Sequence, residues 1–107
     1  MLVAIPLFGS RISPNFDYSK ELLLIKIKGR EILYRKKLSL ENLSTFQRVQ
    51  VLIKSGVNTL LCGGIEQSIR QRMKNLGIDV IWNRMGEAEV ALREYLRERS
   101  AEEKDAS

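Results

Sequence analysis

The sequence predicts one α/β domain built on a mixed sheet. Short apolar runs rich in strand-favouring residues alternate with stretches whose apolar residues recur at helical spacing, the pattern of a largely parallel sheet covered on both sides. Two strand-like runs around Gly29 have the form of a hairpin, which makes the sheet mixed. Residues 57–69, VNTLLCGGIEQSI, pass from a strand pattern to a helical period (Ile65, Ile69, Met73) across Gly63 and Gly64.

That last stretch is the natural centre of the chain. In an open α/β sheet a strand-to-helix turn lies at the carboxyl end of a strand, where ligands bind. Glycine lets a backbone approach a ligand closely, and the first N–H groups of the helix lack partners within it. Gly63 and Gly64 could therefore help to hold an anion. The plainer alternative is that two small residues are needed to turn a buried strand into a helix.

In chain order, Leu2 to Leu7 is continuously apolar, as a strand buried on both faces would be, with Pro6 expected near its end. Residues 8–19, FGSRISPNFDYS, read as a loop by composition, and Pro14 holds Ser13 extended. Glu21 to Lys28 and Arg30 to Leu38 form the hairpin, with Lys28 and Gly29 at its tip. Strict alternation puts Leu23, Ile25 and Ile27 on one face of the first run. It pairs Ile32 with Tyr34 on one face of the second run. A helix follows from Leu40 to Ser55, capped by Asn42 or Ser44, with Leu43, Phe46, Val49, Leu52 and Ile53 as its apolar stripe. Gly56 closes it. Val57 to Cys62 is the next strand, Ile65 to Leu76 a helix stopped at Gly77, and Ile78 to Trp82 a short strand. After Gly86, a helix from Glu87 to Arg99 carries Ala88, Ala91, Leu92, Tyr95 and Leu96 inward, with Arg97 and Arg99 in its last turn.

Composition narrows the function classes. A chain of 107 residues suits a single domain, read as 1–99 followed by a disordered polar tail at 100–107. No apolar run approaches the roughly 20 residues of a membrane span. MLVAIPLF lacks a basic flank and a cleavage site, so it reads as a strand and not as a signal peptide. One cysteine rules out an internal disulfide framework and, with no signal, points to the cytoplasm. Net charge is +5, and the last seven residues carry three acids and one base, so the body is more basic still. Lys26, Lys28, Arg30, Arg35, Lys36 and Lys37 concentrate charge on the hairpin. That is either a platform for RNA or an acidic protein, or protection of an edge strand against aggregation. Tyr34 is the sole aromatic interleaved with these charges, which disfavours nucleic acid.

Three segments together resemble the dinitrogenase iron–molybdenum cofactor biosynthesis proteins of nitrogen fixation. Leu2 to Leu7 followed by Ile12-Ser13-Pro14-Asn15-Phe16 is similar to the family's opening strand and its ligand loop, typically Val-Ser-Pro-His-Phe. Gly56 to Ile65, GVNTLLCGGI, is similar to the segment that closes the same site. Gly77 to Leu96, with Gly86 and an acidic helix start, resembles the carboxyl end. The likeness covers about residues 2–98. It implies a ribonuclease H-like three-layer α/β/α fold with a five-stranded mixed sheet. It also implies a non-enzymatic protein that binds or carries an iron–sulfur or iron–molybdenum cluster or another small anion, with a protein partner of cofactor assembly. The chain departs from the pattern at Asn15, where the family has histidine, and at residues 39–44, SLENLS, where many members are rich in glycine and histidine. Both departures bear on cluster binding and leave the fold expectation intact.

The candidate site residues follow. Cys62 is the one soft ligand besides the methionines, and its place beside a helix N-terminus would lower a thiol's pKa. It either anchors a cluster, with further ligands supplied from outside, or fills a buried strand end. Ser13, Asn15 and Asp17 could bond a ligand or satisfy their own turn. Arg11 and Arg84 are the expected partners of an anion, with the direction of Glu66 left open. An enzyme is not expected. The chain has no histidine for a catalytic pair, the first strand has no acidic residue to hold a nuclease metal, and no phosphate loop is present.

Overall fold

The computed structural model describes residues 1–106, with side chains through residue 101. Six strands form one mixed sheet: β1 (Leu2–Phe8), β2 (Arg11–Ile12), β3 (Glu21–Lys28), β4 (Glu31–Ser39), β5 (Thr59–Leu61) and β6 (Asp79–Ile81). The main path runs β4-β3-β1-β5-β6, and β2 folds back on β1. Five strands are therefore as expected, and the sixth is a two-residue strand inside the stretch read as loop. It is too short to show any alternation in sequence. Three helices, α1 (Thr45–Ser55), α2 (Gln67–Asn75) and α3 (Ala88–Ala106), complete the domain.

The sheet separates two cores, which is what makes the fold three-layered. Alternation along β1 sends Leu2 and Ala4 into a core shared with Val49 and Leu52 of α1 and Met73 of α2. Val3, Ile5 and Leu7 enter the opposite core, with Ala88, Ala91, Leu92 and Tyr95 of α3. A strand serving two cores must be apolar throughout, and LVAIPL is.

Local signals account for the helix ends. Ser44 and Gln47 form a reciprocal capping box at the start of α1, so the helix begins at Thr45 and not near Leu40. Its buried face is Arg48, Val49 and Leu52. Phe46 and Ile53, expected inside, are 55% and 40% exposed because they flank that stripe. Residue 48 of the stripe is a charged one. α3 extends beyond Arg99 into the segment read as tail, so Arg97 and Arg99 lie within the helix and not in its last turn.

The hairpin differs from strict alternation at one point. Lys26 pairs with Tyr34 and Ile27 with Ile32, so Leu33 is an extra, bulged residue. The bulge puts Ile32 and Tyr34 on opposite faces, against the sequence expectation. It also divides the basic residues: Arg35 and Lys37 pair with Ile25 and Leu23 on the α3 side, Lys36 with Leu24 on the other. The turn residues are Gly29 and Arg30, one place later than predicted, with Gly29 at φ +62°.

Candidate functional site

Three connections meet at the carboxyl ends of β1, β5 and β6: residues 9–20, 62–66 and 82–87. Main-chain hydrogen bonds stitch them together. Pro14 and Asn15 run alongside Gly64, with Gly64 N–H donating to the Pro14 carbonyl (2.8 Å) and Phe16 N–H to the Gly64 carbonyl (3.0 Å). Asn83 N–H donates to the Gly63 carbonyl (3.0 Å), and Arg84 N–H to that of Cys62 (2.9 Å). Ile12 N–H reaches the Gly86 carbonyl (2.9 Å). The expected three-loop edge is therefore real, and it is closed by its own backbone.

The need for glycine at positions 63 and 64 follows from this closure. A Cβ on Gly63 would stand 2.5 Å from the Ser13 carbonyl oxygen and 3.2 Å from that of Pro14. On Gly64 it would stand 2.8 Å from the Pro14 oxygen. Neither glycine has a positive φ, so the requirement is room for a neighbouring chain and not a left-handed turn. Gly64 N–H, a candidate anion donor, already serves the Pro14 carbonyl.

The polar side chains of the first loop are likewise engaged within it. Buried Ser13 donates its hydroxyl to the Asn15 carbonyl (2.9 Å), and Asn15 Oδ1 accepts from Asp17 N–H (2.9 Å), capping a short 3-10 turn at Phe16–Tyr18. Asp17 Oδ1 accepts the Thr45 hydroxyl (2.6 Å), which ties the loop to the start of α1. Of the two arginines expected to meet an anion, Arg11 lies 3.9 Å from Glu87 on the surface. Arg84 makes a bidentate pair with Glu98, both bonds 3.1 Å. Glu66 is the exposed N-cap of α2 and makes no side-chain cap bond.

Cys62 faces inward. It is fully buried in the α1–α2 core, and burial pushes its thiol up to about 12 against a weaker lowering effect from Arg70. The thiol-activating effect predicted from the helix N-terminus is thus reversed: desolvation disfavours the thiolate more than nearby positive charge favours it.

Sequence reasoning missed Arg48, which holds this side of the edge together. The residue is 6% exposed, and its guanidinium donates to the Ser19 carbonyl and hydroxyl, the Phe16 carbonyl and, from Nε, the Leu43 carbonyl. Burial lowers its pKa, and Asp17 partly offsets that. An arginine in an amphipathic helix reads as a solvent face. The available signal was its spacing, in register with Val49 and Leu52.

The sequence profile described as "Dinitrogenase iron-molybdenum cofactor" matches residues 1–98. The chain belongs to that family. Solved structures repeat the fold across most of the chain. The crystal structure of PH0822 superposes with a TM-score of 0.84 at 19% identity, covering 90% of this chain and 88% of that one. MJ0327, a candidate dinitrogenase of Methanocaldococcus jannaschii, gives 0.69 at 20% identity over 90% and 84%. TM1290, a candidate NifB protein of Thermotoga, gives 0.65 at 18% identity over 88% and 85%. At these identities the likeness establishes the fold alone, three α/β/α layers around a mixed sheet. No curated protein matches the chain.

The family theme implies an iron–sulfur or iron–molybdenum cluster, and the side chains at this edge do not fit one. The sole thiol is sealed in the core with its pKa raised, the family's loop histidine is Asn15, and Asp17, Glu87 and Glu98 each have a partner. Among the described residues, no group of three or more His, Cys, Asp or Glu side chains could hold a metal ion. No helix among them is long and apolar enough to cross a membrane.

Proposed function

We propose that this chain is a non-enzymatic binding module of the cofactor-biosynthesis family, one that offers a preformed loop edge to a protein of cofactor assembly and supplies no metal ligands of its own. The observation that carries this reading is how the edge divides its resources. Its polar side chains and main-chain bonds serve the closure of three loops, while Phe8 at the end of β1 and Tyr18 and Met85 on the connections stand 59%, 77% and 84% exposed. Large apolar side chains held on a rigid rim suit docking to another protein surface. A cluster handled in such a complex would take its ligands from the partner.

The test is an amide chemical-shift titration of the labelled chain with the purified cofactor-assembly proteins of its source organism. Saturable shifts centred on residues 8–19, 62–66 and 82–87 are expected, reduced by a Phe8→Ser, Met85→Ser double variant. Shifts centred elsewhere, or none with any of these proteins, would contradict the reading.

A further inference from the structure

At the end of the sheet opposite the loop edge lies a cleft lined by the hairpin tip and α3. Lys26 pairs with Leu2, the first residue of β1, so the tip of the β3–β4 hairpin projects past the amino end of that strand. Between the tip and the second half of α3 the cleft measures about 660 Å³. Ligand pockets span roughly 300–1,000 Å³. Its apolar lining includes Ile27, Leu33 and Leu96, and its charged lining includes Lys28, Arg30 and Arg97, with no carboxylate among the described lining residues.

Two features mark the cleft as more than a basic surface. Leu33 is the bulged residue of β4, and the bulge leaves this large aliphatic side chain 52% exposed at the mouth of the cleft. Among the described residues, Lys28, Arg30 and Arg97 form no ion pair, whereas Arg11, Arg35 and Arg84 each pair with a glutamate. Unneutralised cations around an aliphatic floor are complementary to an anionic ligand with an aliphatic anchor. Tyr34 pairs with Lys26 on the other face of the hairpin and no aromatic ring lines the cleft, so bases have nothing to stack on.

We propose that this cleft binds an acidic peptide segment of a partner protein, with one or two aliphatic side chains seated against Ile27, Leu33 and Leu96 and flanking carboxylates meeting Lys28, Arg30 and Arg97. The site is separate from the loop edge and does not depend on the function proposed for it.

The experiment is fluorescence anisotropy of the full chain with a labelled peptide in which aspartates and glutamates flank two central leucines. A peptide with serines for the leucines and an oligouridine RNA of the same length are the comparators. The leucine peptide should bind saturably and about tenfold or more tightly than either comparator. Lys28→Glu with Arg30→Glu, or Leu33→Ser alone, should weaken it about tenfold, while Lys36→Glu with Lys37→Glu, outside the cleft, should change it less than about threefold. These residues are exposed, so thermal midpoints near wild type will show that the variants fold. The proposal is overturned by any of four results: no saturable binding, equal affinity for the serine peptide, tighter binding of the RNA, or an equal loss from the Lys36 and Lys37 changes.

Discussion

The carbonyl oxygen of Ser13 lies 2.5 Å from the point where a Cβ on Gly63 would stand. That approach is closer than the one at Gly64, 2.8 Å, and the obstructing atom is main chain, which cannot swing aside. Gly63→Ala should therefore destabilise the fold by about 1–3 kcal/mol, the usual cost of overpacking a close-packed site. Urea unfolding with an unchanged slope would measure it. A wild-type midpoint would mean that the two chains do not meet this closely.

Arg48 makes a stronger demand. Replacing it with methionine keeps the aliphatic stem but strips donors from the Ser19, Phe16 and Leu43 carbonyls. The Phe16 carbonyl keeps the Ser19 hydroxyl, so the Ser19 and Leu43 carbonyls lose most, the latter only part-buried; at about 1–3 kcal/mol for a buried acceptor left unsatisfied, a total loss of roughly 2–4 kcal/mol is expected. Arg48→Lys should recover only part of it, because one ammonium cannot span carbonyls on both sides. A loss under about 0.5 kcal/mol in Arg48→Met would show that water replaces the guanidinium.

These two residues also show what the sequence could reveal. The apolar run of β1, the hairpin, the glycine pair and the inward face of α3 were legible because each has a period or a break that only one local structure explains. Gly63 and Gly64 were legible as a junction but not as a contact, since the atoms they make room for lie 50 residues earlier, at Ser13 and Pro14. β2 was too short to carry a pattern. The Leu33 bulge breaks alternation without glycine or proline to mark it, and so Tyr34 was placed on the wrong face. For Cys62, nearness to a helix N-terminus was visible in sequence, but its complete burial was not.

Burial of Cys62 has a pH signature. Its thiol titrates near 9.0 when unperturbed and at about 12 in the fold, so the native state holds this proton more tightly than the unfolded chain does. The resulting stabilisation is complete below pH 9 and is lost as pH rises from there toward 12, at no more than about 1.4 kcal/mol per pH unit. Wild type should thus lose stability more steeply than Cys62→Ala between pH 9 and 10.5. Parallel curves would place the thiol in water. Ellman's reagent at pH 8 should likewise leave native Cys62 unmodified and label it on unfolding.

Arg35 and Glu89 join β4 to α3 through two bonds of 2.7 and 3.0 Å, and the glutamate raises the arginine's pKa. Both side chains are nearly half exposed. Solvent screening limits such pairs, so a double-mutant cycle should return a coupling below about 1 kcal/mol that shrinks in high salt. A larger, salt-insensitive coupling would mean that the pair is buried by a partner or a second copy.

The central claim is that this family member presents an edge without metal ligands. Reconstitution with ferrous iron and sulfide in the absence of oxygen tests it most directly, with bound iron, sulfide and the visible spectrum read for wild type and Cys62→Ala in parallel. The account predicts iron far below one cluster per chain and no thiolate-to-iron band that distinguishes the two proteins. Stoichiometric iron and sulfide with a visible band in wild type, lost in Cys62→Ala, would contradict it and make Cys62 a cluster ligand.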